Sequence, residues 1–210
     1  AIDVQFFDEA NSNLHDSRIN RIAEDNNGNL LLGMNDGTVA IFDGQEVIHN
    51  HITDHVKEIE AMLFDQKTGE LWVSALLSHL FDKEKRLKLK IGPASIKDYF
   101  MDNGRNLFVA TAHMLAVFYY QEKYGSKLPL SKQWQDNFEV VSKDFPRHQA
   151  YEYIVLRRRR CRAVHLDTLN GNYRIWGAFN DGLFYFENGK QYEFQVDGKP
   201  VIGFDIQQSP

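Results

Sequence analysis

The densest group of candidate metal ligands in the chain is "IHNHITDH", Ile48 to His55. Residues i and i+2 of a strand face the same side, so His49 and His51 have the spacing of a chelating pair, with Asp54 and His55 close by. A polar, solvent-facing strand or loop between repeats explains the same residues. The reading taken is therefore no metal site and no cofactor. The single cysteine, Cys161, excludes an internal disulfide framework and any multi-cysteine metal site. No Gly-rich phosphate loop, G-x-S-x-G, H-E-x-x-H or Cys/His cluster occurs. No catalytic residue is assigned.

Recognition chemistry has two candidates. One is "RRRR", Arg157 to Arg160. In a strand, Arg157 and Arg159 share one face and Arg158 and Arg160 the other. Guanidinium forks pair with carboxylate or sulfate groups, although a charged run also protects an edge strand from aggregation. The other is the aromatic-rich segment Phe118 to Tyr153, which contains Tyr119, Tyr120, Tyr124, Trp134, Tyr151 and Tyr153. Aromatic faces with polar neighbours suit a sugar ring or the hot spot of a protein partner. The same rings also serve as the core of a degenerate repeat. Together these segments define a candidate ligand surface of Tyr119, Tyr120, Trp134, Tyr151, Arg157 and Arg159.

The elements that must carry these residues are those of a soluble β protein. The 210 residues are 43% hydrophobic, enough for a substantial core. A net charge of −5 argues against a general nucleic-acid or anionic-membrane binder. No apolar run approaches the roughly 18–20 residues of a spanning helix. The opening "AIDVQFF" reads as a strand, without the basic and apolar regions of a signal peptide. A mature or excised soluble piece is expected.

Four copies of one pattern can be aligned: Ile19 to Asp43, Val56 to Asp82, Ile96 to Phe118, and Cys161 to Phe186. Each has a short apolar run ending in aspartate, then a turn rich in Gly and Asn, then a second apolar run. The aspartates are Asp25, Asp65, Asp102 and Asp167, spaced 40, 37 and 65 residues apart. The first two spacings match the roughly 40–45-residue period of a four-stranded propeller blade. The third is one period plus about 25 residues, so a repeat-breaking insertion at about 119–160, or a badly degenerate extra blade, is expected. Asp and Asn cap turns with their side chains, and Gly and Asn tolerate positive φ, so each turn is a hairpin signal. The second run ends on a small residue, Gly33, Ser74, Ala110 or Gly177, which suits close approach of backbones.

The pattern resembles the two-component regulator propeller repeat, whose usual form is close to I-x-x-I-x-E-D-x-x-G-N-L-W-I-G-T-x-x-G-L-x-x-F-D. The first copy matches at Ile19, Ile22, Glu24, Asp25, Gly28, Asn29, Leu30, Gly33, Gly37, Phe42 and Asp43. The second keeps Asp65, Gly69, Leu71, Trp72, Val73, Phe81 and Asp82. The third keeps Asp102, Asn106, Leu107, Phe108, Val109 and Thr111, with its turn glycine displaced to Gly104. The fourth keeps Asp167, Gly171, Asn172, Trp176, Gly177, Gly182 and Leu183, with a residue added in both the turn and the second strand. The resemblance implies the periplasmic sensor region of an inner-membrane hybrid histidine kinase, of a kind common in gut Bacteroidetes and often tuned to glycans. It implies a non-catalytic module with an oligosaccharide ligand. Its partners would be further sensor domains and the kinase of the same receptor. A carbohydrate-active propeller enzyme and a protein-interaction scaffold are the alternatives.

The expected fold is therefore an all-β propeller, or a fragment of one, spanning 1–210. It has about four recognisable blades plus a composite or truncated fifth. That fifth would join a strand near Val4 to one near Ile202, or else a homodimer would cover those edges. Ile22, Leu30, Leu32, Trp72, Leu107, Val109, Ile175 and Phe184 hold equivalent places and are expected in inter-blade cores.

Overall fold

In three of the four copies, the aspartate that ends the first strand folds the turn behind it. Asp25 Oδ1 accepts from the backbone N–H groups of Asn27 and Asn29 at 2.7 and 3.0 Å, and Oδ2 accepts from the Asn29 side chain at 3.0 Å. Asp102 repeats this with Asn106, at 2.8 Å to the N–H and 2.6 Å to the side chain. Asp65 instead takes the N–H of Lys67 and the hydroxyl of Thr68, each at 2.9 Å. Each turn needs one left-handed residue, which is Gly28 (φ 80°) in the first copy. In the third copy the displaced Gly104 is not that residue; Arg105 takes the position at φ 63°.

The computed structural model of the protein describes residues 4–50, 58–75, 77–91, 95–119, 137–145, 148–169 and 172–203. It divides into two compact units, residues 1–95 and 96–210.

The first unit holds two antiparallel four-stranded sheets. One is β1 (Ile19–Glu24), β2 (Leu30–Met34), β3 (Val39–Phe42) and β4 (Val47–Asn50), paired in that order. The other is β5 (Ala61–Asp65), β6 (Glu70–Ala75), β7 (Leu77–Phe81) and β8 (Leu87–Ile91), also paired in order. Alternation on the pleat turns Leu31 and Gly33 toward the second sheet, where Leu31 joins Val39, Ile59, Leu71, Val73 and Phe81 in one core. Leu32 and Met34 face the other way, onto Leu14 and Val47. A Cβ on Gly33 would stand 2.9 Å from both Ile59 Cγ2 and Met62 Sδ. The close approach at this glycine is thus to side chains of the next blade rather than to its backbone.

In the second unit, β9 (Ile96–Met101), β10 (Leu107–Thr111) and β11 (Leu115–Tyr119) begin a sheet that is completed out of sequence. Its fourth strand is β13 (His148–Arg157), and β12 (Glu139–Phe145) is added outside it. The described part of the stretch expected to interrupt the repeat therefore supplies the blade's outer strands. The last blade sheet is β14 (Cys161–Leu169), β15 (Asn172–Phe179), β16 (Gly182–Glu187) and β17 (Lys190–Glu193). Phe108, Ala110 and Leu115 of one sheet pack with Cys161, Val164 and Ile175 of the other.

Strand register corrects one expected equivalence. Gly33 pairs with Arg21, Ser74 with Ala61, and Ala110 with Asp98. The matching residue of the last blade is Ala178, opposite Ala163, whereas Gly177 pairs with Val164. The residues added to that hairpin move the glycine one place, so it holds the site of Leu32, Val73 and Val109.

The described residues are all-β, and four of their sheets are the blades of a β-propeller. No fifth blade forms among the described residues. Residues 4–8 carry no strand; Phe7 rests edge-on against Phe42 at 5.2 Å. Lys199–Pro200 (β19) pairs only with Gln195–Val196 (β18) as a ribbon, and Leu183 N–H donates to Val201 O at 2.7 Å. Val4 and Ile202 both lie exposed outside strands. Of the expected core residues, Leu32, Trp72, Leu107, Val109, Ile175 and Phe184 are buried and Leu30 is half-buried. Ile22 is 60% exposed and Ile19 40%, whereas Ile59, which holds Ile19's place one blade later, is 0% exposed. The first blade covers the second, and β1 has no earlier blade ahead of it in its unit.

Candidate functional site

The aspartates of the repeat are the obvious acid–base candidates, and their hydrogen bonds assign them elsewhere. Asp25, Asp65 and Asp102 hold turns. Asp167 Oδ2 accepts from the Trp176 indole at 2.8 Å. Asp102 Oδ2 also accepts from the Tyr173 hydroxyl at 2.6 Å, and burial followed by this bond pushes that hydroxyl's pKa up. Burial likewise raises the Cys161 thiol, which leaves it a poor nucleophile. Among the described residues no three His, Cys, Asp or Glu side chains are grouped to hold a metal ion. His49 lies in β4, while His51, Asp54 and His55 lie outside the described residues.

The arginine run does not alternate across a strand. β13 ends at Arg157, and Arg158 to Arg160 leave it through a bend. Arg157 bonds Asp181 Oδ2 at 2.9 Å, and its guanidinium lies 3.8 Å from the centroid of the Phe184 ring. Arg159 approaches the same carboxylate at 3.7 Å. Arg158 forks onto Glu139 at 2.6 and 2.8 Å. Arg157 is therefore joined to the hairpin leading into β16 by an ion pair and a cation–π contact. Tyr119 and Tyr151 are strand residues of one blade, while Tyr120 and Trp134 lie outside the described residues. Tyr153 stacks on Phe118 at 4.8 Å.

A site that the motif search missed lies in the first unit. The turn after β1, the turn after β5 and the turn after β7 surround a cavity of about 440 Å³. Its floor is the inter-blade core, with Leu31, Leu71 and Phe81 below and Ile41 and Phe64 at the sides. Its polar rim includes Lys67, Lys83 and Lys85. Gln66 Nε2 donates to Glu24 O at 2.9 Å and clasps the two blades beside it. The volume is that of a small-molecule pocket, with an apolar floor under a polar and charged rim.

The rim is electrostatically lopsided. Desolvation alone would raise the Asp25 pKa, yet its three turn bonds outweigh that and hold it below the usual carboxylate range. Asp82 behaves the same way, with burial opposed by Arg86, whose N–H and Nε donate to it at 2.8 Å each. Lys83 has Glu84 at 3.6 Å. Lys85 has no ion-pair partner among the described residues, and desolvation lowers its pKa. The signal was present in the sequence. "DQKTGE" and "FDKEKR" are both hairpin turns of copy two, and in a meander sheet the first and third turns emerge at the same end.

No family model and no curated protein matches the chain. Solved structures share its fold. The computationally designed Ika8 protein aligns with a TM-score of 0.59 at 15% identity, over 95% of this chain and 55% of that one. The extracellular domain of BT3049 from B. thetaiotaomicron, described as a hybrid two component system, aligns with a TM-score of 0.55 at 16% identity, over 80% of this chain and 21% of that one. PorZ of Porphyromonas gingivalis, a surface component of the type-IX secretion system, gives a TM-score of 0.54 at 12% identity, over 85% and 28%. The chain thus spans about a fifth of BT3049 and about half of Ika8.

Proposed function

We propose that the chain is a non-catalytic, ligand-sensing propeller module of an extracytoplasmic two-component receptor. The observation that carries this reading is the open cavity over an apolar floor, beside turn aspartates already used as hydrogen-bond acceptors. Such a site can bind, while acid–base chemistry would need a free, convergent pair of carboxylates. The likeness to the BT3049 extracellular domain supports the receptor context. In that setting the chain is periplasmic and part of an inner-membrane receptor. Further sensor domains and a histidine kinase of the same receptor are its partners, and homodimerisation transmits the signal. The ligand is an oligosaccharide or a fragment of one. The surface of Tyr119, Tyr120, Trp134, Tyr151, Arg157 and Arg159 is a second candidate contact for it.

Calorimetry against neutral and acidic oligosaccharides tests this, with product analysis after long incubation. Binding without turnover is expected. A Lys83→Gln/Lys85→Gln variant and a Trp134→Ala/Arg159→Ala variant assign the site. Cleavage products would establish the carbohydrate-active enzyme instead. The likeness to PorZ favours a second reading, a surface-assembly scaffold, which predicts no carbohydrate binding and co-purification with a protein partner.

A further inference from the structure

We propose that the cavity between the first two blades receives a small amphipathic anion, with the Lys85 ammonium as partner of its acid group. This rests on the sensing reading and adds the class of ligand. The floor of Leu31, Leu71 and Phe81 accepts an apolar face. Each rim carboxylate is satisfied within its own turn, Asp25 by Asn27 and Asn29 and Asp82 by Arg86. Lys85 is not balanced in the same way: it lines the cavity without an ion-pair partner among the described residues.

The backbone also fixes Lys85 there. Its φ is 65°, a left-handed conformation that is unfavourable for a non-glycine residue. Its N–H is tied to Asp82 O at 2.8 Å. Glycine would satisfy this turn better, so the lysine side chain is present against local preference. Such outliers cluster at binding sites. A neutral ligand leaves the partly desolvated ammonium without a counter-charge. A carboxylate or sulfate ester supplies one, and a charge-assisted bond in a partly dry site is roughly twice as strong as a neutral one.

The test uses a matched pair of probes, 4-nitrophenyl glucuronide and 4-nitrophenyl glucoside, which differ only in the acid group. Titration calorimetry is run on the intact chain and on Lys85→Gln, Lys85→Arg and Lys85→Gly. The glucuronide is expected to bind at least tenfold more tightly than the glucoside. Lys85→Gln and Lys85→Gly erase that preference, and Lys85→Arg keeps it. Lys85→Gly melts no lower than the parent, because glycine relieves the left-handed residue, which separates charge loss from misfolding. Equal affinity for the two probes, no binding of either, or a preference that survives in Lys85→Gln each overturns the proposal. If neutral oligosaccharides still bind without turnover, the sensing reading stands and only the anionic ligand class falls. Release of nitrophenolate would overturn both.

Discussion

Gly33→Ala probes the contact that joins the first two blades. The added methyl would sit 2.9 Å from Ile59 Cγ2 and Met62 Sδ, and 3.4 Å from Arg21 Cβ. Ordinary carbon contacts lie near 3.5–4.0 Å, so about 0.6 Å or more must be found on the crowded side. Met62 can yield, because a thioether chain has several rotatable bonds. Ile59 cannot yield as easily. It is β-branched and fully buried, and its N–H is held to Met34 O at 3.1 Å. Overpacking of this kind costs about 1–3 kcal/mol, and at roughly 2–4 °C per kcal/mol for this chain length the melting temperature falls by about 2–12 °C. Ile59→Ala alone costs about 2–5 kcal/mol through the cavity it leaves. The double variant places the new methyl in that cavity, so it is expected to be more stable than the sum of the single changes by at least 0.5 kcal/mol. Urea unfolding of the four proteins measures the cycle. A neutral Gly33→Ala, or strict additivity in the double variant, refutes the packing argument.

Tyr173→Phe removes the 2.6 Å bond that ties the last blade to the Asp102 turn. A hydrogen bond to a charged group is worth about 1.5–3 kcal/mol, and an unchanged urea midpoint would show that the bond contributes nothing. Trp72→Ala, at a side chain only 1% exposed, should cost on the order of 3–5 kcal/mol; an indole that remains quenchable in the folded parent would contradict this burial. His79 has its pKa lowered by burial and then by Lys90. The unfolded chain therefore binds its proton first as pH falls below about 6.5. Stability tied to this group is full above that pH and declines toward the folded value. The slope is at most about 1.4 kcal/mol per pH unit. His79→Gln should flatten the fall in stability between pH 6.5 and 5.5, and an unchanged slope would refute it.

The turns were legible because they are local. Asp25 and Asn29, or Asp102 and Asn106, are four residues apart, so side-chain capping needs only that stretch of chain. The four-blade count and the burial of Trp72, Leu107 and Val109 followed from repetition, which places one residue type at one point of a recurring unit. Other features were decided by neighbours far along the chain. The exposure of Ile22 depends on whether a blade stands ahead of β1, and nothing within its own copy encodes that. The register that put Ala178, not Gly177, in the position of Gly33 was set by pairing across a lengthened hairpin. β13 became the fourth strand of its blade by passing over β12, a topology that no local pattern dictates. Arg157 found Asp181 24 residues away, a pairing that the run of four arginines does not encode. The lysine-rimmed cavity required turns of two successive blades to meet over one core. Local hydrogen bonding and periodic burial are written in adjacent residues, whereas which face is covered, and which charge lacks a partner, exists only once separate repeats are packed.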